Sequence, residues 1–401
     1  MNAPTLSSEF KKQHLIDPEI CIRCNTCEAT CPVGAVTHDD ANYVVDVDKC
    51  NYCMDCIAPC PTGSIDNWRV VKAPYSLAEQ LGWTELPRQE DFGEAAGAAT
   101  EAVESEVGAL LEQAHSGSGG KPVAPVSASK PVVNLFTRSK PAIATVQGNY
   151  RITAAGSSSD VRHIVLSFGA TVFPVLEGQS IGIVVPGTRP DGRPHDVRLY
   201  SIASSRDGEK RNANNVSLTV KRAEGGMASN YLCGLQVGAK VQVTGPFGAT
   251  FLMPNDPNCS ILMICTGTGS APFRAFTERR RRAAPGAPGK LMMFFCARTP
   301  QELPYFGPLQ KVPDRLLEKH LVFSRLPGQS KEYVQDRMRA EAGPVADLLK
   351  AEQGHIFICG LKGMEAGVED ALDSICRDHG LDWNALKPHM RASGRYHVET
   401  Y

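Results

Sequence analysis

The sequence predicts a multidomain chain of mixed α+β and α/β class. A small cysteine-ligated module is followed by a flexible tether, an antiparallel β-barrel and a parallel α/β domain. Three observations predict this. Eight of the fourteen cysteines fall in two like-spaced runs near the N-terminus. An acidic, Ala-rich stretch and then a Gly/Ser/Pro stretch come next. Beyond about residue 140, short apolar runs between turns give way near residue 258 to apolar runs alternating with helical segments. At 401 residues there is chain enough for two or three domains with separate cores. The expected boundaries are 1–72, 73–137, 138–255 and 256–401.

The cysteine runs carry the strongest signal. Cys21 to Pro32 reads C-I-R-C-N-T-C-E-A-T-C-P, and Cys50 to Pro61 reads C-N-Y-C-M-D-C-I-A-P-C-P, the two starting 29 residues apart. Three thiolates at two-residue gaps can bend round one iron–sulfur cubane, while the fourth, held by its proline, reaches across to the other. On this pattern Cys21, Cys24, Cys27 and Cys60 hold one [4Fe–4S] cluster, and Cys50, Cys53, Cys56 and Cys31 hold a second. Zinc sites take four ligands and often include histidine, which fits the doubled eight-cysteine spacing less well. Residues 10–70 resemble the bacterial two-cluster ferredoxin family. Thr37 to Asp46 alternates enough for a short hairpin between the runs, and P-V-G-A-V-T after the first run parallels P-T-G-S-I-D after the second.

Charge is divided unevenly along the chain. Residues 1–72 carry 6 Lys/Arg against 10 Asp/Glu, residues 73–137 carry 3 against 9, and residues 138–401 carry 33 against 24. An acidic front is thus tethered to a basic back. The net charge of −1 gives no general affinity for nucleic acid. No apolar run is long enough for a membrane span, and no signal peptide pattern is present. Fourteen cysteines without a secretory context point to a reducing cytoplasm. Cys233, Cys259, Cys265, Cys296, Cys359 and Cys376 are scattered and read mostly as small buried hydrophobes.

Within the tether, Glu90 to Ala114 is acidic and Ala-rich and is expected to form one helix. Ser116 to Pro131 has no means of making a core and is expected to stay flexible. The barrel strands are expected at Ile164, Ser180, Val216 and Lys240, and the parallel strands at Ile261, Leu291, His320 and His355.

Arg198 to Ser204 reads R-L-Y-S-I-A-S at the end of a barrel strand. A flavin dinucleotide needs a cation for its pyrophosphate, an aromatic face and a hydrogen-bonding partner near the reactive ring edge. Arg198, Tyr200 and Ser201 supply these three, although an ordinary barrel strand explains the tetrapeptide alone equally well. Downstream stand S-L-T-V-K-R from Ser217, G-G-M-A-S-N-Y-L-C from Gly225 and V-T-G-P-F-G from Val243. Together they resemble the plant-type ferredoxin–NADP+ reductase family, from about residue 150 to the C-terminus. The resemblance implies FAD on Arg198, Leu199, Tyr200, Ser201, Thr219, Val220, Lys221, Met227, Ala228 and Ser229. The Gly226–Ser229 turn would offer N–H groups to an anion at a helix start.

Cys265 to Arg274, C-T-G-T-G-S-A-P-F-R, follows an apolar strand and opens a helix, so its glycines let the backbone approach a pyrophosphate. It matches the same family. In that family the equivalents of Ser324, Arg325, Lys331, Tyr333 and Gln335 hold the 2′-phosphate and adenine, which favours NADPH over NADH. The resemblance further implies nucleotide contacts at Thr266, Gly360 and Leu361. Ala297-Arg298 replaces the family's Val-Pro, and Arg298 is either an added cation for the pyrophosphate or simply exposed. By the same resemblance Ser201, Cys359, Glu399 and Tyr401 belong to the reacting centre, with Tyr401 covering the flavin until nicotinamide displaces it and Glu399 hydrogen-bonding nearby.

The run Arg279-Arg280-Arg281-Arg282 either complements a helix dipole or forms a docking patch for an acidic partner. Joined, the parts imply electron flow from NADPH to FAD, to two [4Fe–4S] clusters, to a separate protein. The whole layout, including A-R-T-P-Q-E-L-P-Y-F-G-P-L-Q from Ala297 to Gln310, resembles the reductase components of benzoyl-CoA 2,3-epoxidases. That resemblance implies a diiron oxygenase acting on benzoyl-CoA as partner. A self-contained NADPH–ferredoxin oxidoreductase and an iron–sulfur redox sensor remain alternatives, and a homodimer stays open.

Overall fold

Where apolar residues recur decides which elements form and which faces they bury. A computed structural model describes residues 11–19, 21–53, 55–57, 60, 62, 64–65, 67–87, 99–115, 122–210 and 213–401. In the N-terminal module, β1 (Lys11–Leu15) pairs antiparallel with β4 (Asn67–Val71), which ties together the two ends of the repeat. Helix α1 (Thr26–Thr30) follows the first two cysteines and buries the third, Cys27. The expected hairpin is β2 (Val36–His38) and β3 (Tyr43–Val45), its tip fixed by the Asp39 carboxylate accepting from the Ala41 and Asn42 N–H groups. Ile16, Val36, Tyr43, Val45, Ile57, Ile65 and Trp68 form the core, with Cys27 and Cys56 buried among them.

The module's packing continues past residue 72. Helix α2 (Leu77–Leu81) starts at a reciprocal Ser76–Glu79 cap, and Gln80 then exchanges hydrogen bonds with the backbone of Val45 at 3.2 and 3.0 Å. Arg69 donates to the Pro87 carbonyl at 3.0 Å. The drop in basic residues after 72 therefore marks a change of charge, not the end of the fold unit.

The acidic stretch forms α3 (Ala99–His115); the first part of the expected helix, residues 90–98, lies outside the described residues. Residues 116–121 of the expected flexible linker also lie outside them. The remainder of that linker is docked, contrary to expectation. Asn255 donates to the Ser127 carbonyl and the Ser129 hydroxyl, both at 2.9 Å, and Lys130 reaches Glu19 at 3.1 Å. Serines that cannot build a core still fasten a chain through their hydrogen bonds.

The second sheet has β5 (Ala142–Arg151), β6 (Val161–Ser167), β7 (Ser180–Val184), β8 (Arg198–Ser201), β9 (Asn215–Lys221) and β10 (Lys240–Phe247), in the antiparallel order β8-β7-β10-β5-β6-β9. It closes where Ile202 bridges Leu218 and Ala203 N–H donates to the Ser217 carbonyl at 2.7 Å. Helix α4 (Met227–Gly234) covers one end. Strand β5 was not among the expected apolar runs because small residues, Ala142 and Ala144, hold its buried positions.

The third sheet is parallel, in the order β13-β12-β11-β14-β15. Its strands are β11 (Ser260–Thr266), β12 (Leu291–Ala297), β13 (Glu318–Phe323), β14 (Gly354–Gly360) and β15 (Tyr396–Thr400). Helices α5 (Ser270–Ala283), α6 (Phe306–Gln310), α7 (Val334–Ala340), α8 (Ala342–Lys350), α9 (Glu365–Asp378) and α10 (Trp383–Ala392) connect and cover them. The inner strands are apolar throughout because both faces are buried, one against Val345, Leu349 and Leu372, the other against Phe251, Phe273 and Phe276. Among the described residues, no helix is long and apolar enough to cross a membrane.

Charged side chains brace the barrel and fasten it to the parallel domain. Glu177 and Arg206, both essentially inaccessible, meet through Nε–Oε2 at 2.8 Å, and Arg206 also donates to Ser129 at 3.0 Å. Arg274 grips Glu209 with both terminal nitrogens at 2.8 and 2.9 Å. The four-arginine run divides. Arg280 turns inward to the Gly289 and Cys259 carbonyls, Arg282 clamps Asp207 and the Gly208 carbonyl, and Arg281 pairs with Glu278. Arg279 and Arg280 also border a cleft with Ile57 and Cys60 of the cysteine module. The run is therefore mainly an interior fastening whose first two members edge the module.

Burial alone would raise the Glu177 carboxyl, but Arg206 and Arg279 outweigh it and hold it below the usual range. Arg206→Met should cost about 3–5 kcal/mol, because it strands a buried carboxylate, whereas Arg206→Met with Glu177→Leu should cost much less. Urea midpoints of both variants check this. Because the folded pKa is depressed, the pair's stabilisation is present above the unfolded pKa and is lost as pH falls through the folded value.

Candidate functional site

The ends of β11, β14 and β15 lie side by side, with Cys265 opposite Cys359 and Cys359 opposite Glu399 in register. Two cavities open there, sharing Lys221 and Thr268 in their walls. The first, about 610 Å³, lies against the barrel. Arg198, Leu199, Tyr200 and Ser201 of β8 line it with Thr219, Lys221, Ser229, Glu399 and Tyr401. The second, about 480 Å³, lies over the parallel sheet. Thr266, Ala297, Arg298, Ser324, Arg325, Lys331, Tyr333, Gln335 and Leu361 converge in it.

Not every expected residue reaches a cavity with its side chain. Val220 is buried in the barrel core and Ala228 in the base of α4, while Met227 is exposed at the helix start. Each can offer only backbone or surface to a ligand. Cys359 is buried beneath the meeting point, and burial first, then Glu399, pushes its thiol well above the ordinary value, so it stays neutral. Gly360 is required: its φ is +147°, and a Cβ there would come within 2.4 Å of the Thr266 hydroxyl. Gly269 is required as well, since a Cβ would meet the Cys359 carbonyl at 2.2 Å.

The second cavity holds four cationic side chains, Lys221, Arg298, Arg325 and Lys331, against one carboxylate, Glu302. That balance suits a ligand with several phosphates. Arg325 N–H donates to the Arg298 carbonyl at 2.8 Å and Ser324 N–H to the Ala297 carbonyl at 3.0 Å, so the ends of β12 and β13 hold these residues together. Arg298 lies near Glu302 at 4.0 Å and lines the cavity with half its side chain exposed.

Where the cavities meet, the Tyr401 hydroxyl bonds the Thr268 hydroxyl at 2.6 Å and Tyr401 N–H donates to the Gly360 carbonyl at 3.0 Å. Glu399 is buried, with Oε2 lacking any partner. Burial pushes its carboxyl up to about 7, against a hydrogen bond from Ser180 that pulls the other way. An unpartnered buried acid beside a cavity is a group poised to meet a ligand. Sequence reasoning missed Thr268, Ser180 and Lys362. Thr268 stands inside the T-G-T-G run already noted and Lys362 directly follows Gly360 and Leu361, whereas Ser180 carries no signal beyond opening a strand.

The module's cysteines group by neighbourhood. Cys27 is pushed up to about 12 by burial first and then by Cys60 and Cys21. Cys56 is raised by burial first and then by Cys50, Cys53, Cys27 and Cys31. Cys24, the most open of the first group, lies against Thr26. Among the described residues no three His, Cys, Asp or Glu side chains converge as a single ion needs. Eight thiols gathered in this way fit iron–sulfur ligation, and bound metal would supply the charge that keeps them deprotonated.

Known proteins agree with this geometry. Residues 13–61 match the family described as 4Fe-4S dicluster domain, residues 154–251 the oxidoreductase FAD-binding domain, and residues 263–370 the oxidoreductase NAD-binding domain. The cyanelle ferredoxin–NADP reductase of Cyanophora paradoxa is 38% identical over 288 residues, covering 67% of this chain and 79% of the relative. The chloroplastic ferredoxin–NADP reductase of Spinacia oleracea is 35% identical over 287 residues, covering 67% and 78%. Among solved structures, the ferredoxin-NADP+ reductase from Plasmodium falciparum superposes with a TM-score of 0.54 at 25% identity, covering 67% of this chain and 99% of that one. The chain therefore belongs to the ferredoxin–NADP reductase family, as an NADPH-dependent, FAD-binding oxidoreductase joined to a 4Fe–4S ferredoxin domain.

Proposed function

We propose that the protein is the reductase component of a two-component oxygenase acting on benzoyl-CoA. It draws electrons from NADPH and delivers them through FAD and two [4Fe–4S] clusters to a separate diiron protein. The observation that carries the electron-transfer reading is the meeting of the two cavities at Thr268 and Tyr401, with a phosphate-suited cavity on one side and the barrel cavity on the other. The benzoyl-CoA partner rests on the resemblance of the whole layout, Ala297 to Gln310 included.

FAD, when bound, supplies the conversion of a two-electron donor into single electrons. The chain's own residues do the rest. Arg198 and Lys221 would hold the FAD pyrophosphate, with Ser229 at the start of α4, and Tyr200 would face the ring. Ser324, Arg325, Lys331, Tyr333 and Gln335 would hold the 2′-phosphate and adenine of NADPH, and Arg298 the pyrophosphate. Tyr401 would cover the ring face and yield to nicotinamide, a move that costs the Thr268 contact. Glu399, protonated below about pH 7, would hold a proton at its carboxyl oxygen and donate a hydrogen bond toward Ser201 and the ring. Neutral Cys359 would pack under the reacting atoms. Cys21, Cys24, Cys27 and Cys60 would hold the cluster nearer the reductase, since Cys60 borders its surface; Cys50, Cys53, Cys56 and Cys31 would hold the other.

A self-contained NADPH–ferredoxin oxidoreductase is the second reading, favoured by what the relatives are named for. Anaerobic stopped-flow mixing with NADPH separates the two. Flavin bleaching should precede cluster reduction, and the clusters should reoxidise rapidly only when the diiron protein, benzoyl-CoA and oxygen are added. Clusters that this partner never drains would leave the second reading.

Two substitutions probe the residues. Arg325→Ala should raise the NADPH KM about a hundredfold, as expected for losing a charged hydrogen bond of roughly 3 kcal/mol, and leave the NADH KM nearly unchanged. Equal effects on both nucleotides would refute the assignment. Glu399→Gln should remove an activity limb near pH 7. The wild-type carboxyl is neutral below that pH and ionises above it, so activity that needs the proton declines as pH rises through about 7. A limb that persists unchanged in the variant assigns it to another group.

A further inference from the structure

Helix α3 belongs to neither matched reductase domain, which span residues 154–251 and 263–370. Yet it forms a wall of the barrel cavity. Leu110, Leu111, Gln113 and Ala114 line it opposite Tyr200, Ser201, Glu399 and Tyr401. The helix packs along β15, an edge strand of the parallel sheet. Its apolar residues recur as Val107, Leu110, Leu111 and Ala114, which is one face of a helix, and Val107 is buried at 4% exposure. His115 lies near enough to His397 of β15 to act on it electrostatically. The contact is thus built from a matched stripe and continues the sheet's packing.

The rest of α3 carries charge of one sign. Its sequence holds Glu101, Glu104, Glu106 and Glu112 and no lysine or arginine. A diffusing protein approaching this side of the cavity meets a helix in its path, whereas a tethered module is held at high local concentration. A hydrocarbon wall at the same place keeps water from the ring.

We propose that α3 is a cover on the flavin cavity that selects the electron acceptor, shutting out diffusing acidic carrier proteins in favour of the chain's own ferredoxin module. This rests on reading that cavity as the FAD site. Leu110 and Leu111 are the specificity-determining residues, because they turn the stripe toward the cavity.

The holoenzyme tests it in two variants, Leu110→Asn with Leu111→Asn, and replacement of residues 99–115 by a Gly/Ser stretch of equal length. One readout is quenching of flavin emission by acrylamide, a neutral quencher that reports access to the ring without turnover. The other is the ratio of NADPH-driven reduction of an acidic plant-type [2Fe–2S] ferredoxin to that of ferricyanide, a small acceptor. Both the quenching constant and the ratio should rise several-fold in either variant. Flavin retained with both readouts unchanged would overturn the proposal. Flavin lost from both variants would overturn it too, by making α3 part of the flavin-binding scaffold. Wild-type protein without flavin absorbance would instead sink the FAD reading of the cavity, not the cover.

Discussion

The hydrogen-bonded ladder joining β11, β14 and β15 is the constraint on which the site depends. Parallel pairing brings Cys265, Cys359 and Glu399 into one row at the carboxyl ends of three strands. Ligands of open α/β sheets bind beyond such ends, where the turn after a strand meets the start of a helix. Here that turn is Gly267 to Gly269, and its closeness to β14 leaves no room for a side chain at Gly269 or Gly360. The same ladder carries the chain's last residues over the turn, where Tyr401 meets Thr268. A slip in the β14–β15 register would move Glu399 and Tyr401 together, so the acid and the cover are placed by one pairing.

The barrel contributes the other wall, so its attachment matters as much as its shape. The attachment is mostly ionic. Arg274 with Glu209 and Arg282 with Asp207 connect the loop before β9 to α5 across the joint, while Arg206 with Glu177 anchors that loop within the barrel. Tyr305 adds a neutral bridge, its hydroxyl bonding His163 at 2.7 Å and Thr219 at 2.8 Å. Buried ion pairs of this kind contribute little net stability, but removing one partner is costly, and their geometry admits few arrangements. They suit a joint whose task is to keep two cavities in register.

How much of this was legible in the sequence followed the physics of each signal. The cysteine spacing fixes a donor set directly, and the long apolar runs could only be strands of a doubly covered sheet. T-G-T-G was readable as a tight turn because the close approach to β14 demands a glycine at Gly269, whereas R-L-Y-S by itself reads equally well as an ordinary strand. The docked half of the linker was not readable, since Ser127 and Ser129 act through hydrogen bonds to Asn255 and Arg206 more than 75 positions away. Gln80 hid the extent of the first module in the same way, through its partner Val45. The arginine run left two readings open because adjacent like residues on a helix face different directions, and their partners, from Glu278 to the Gly289 carbonyl, appear only in the folded chain. Helix α3 was legible as a helix, but its seat on β15 depends on a strand edge that appears only once the sheet is assembled.

The positions of the two ends of α5 bear on the pace of electron flow. Its start lies at the cavities, with Ala271 in the barrel cavity's wall, and its end borders Ile57 and Cys60 of the module. Fourteen residues at a rise of about 1.5 Å each set these ends roughly 20 Å apart. Cofactors held at the two sites would therefore be separated by the length of one helix, which makes α5 the rigid spacer between the reductase cavities and the cysteine module. The covalent connection keeps that module at high local concentration whatever position it takes, so the chain needs no diffusing carrier between its own two parts.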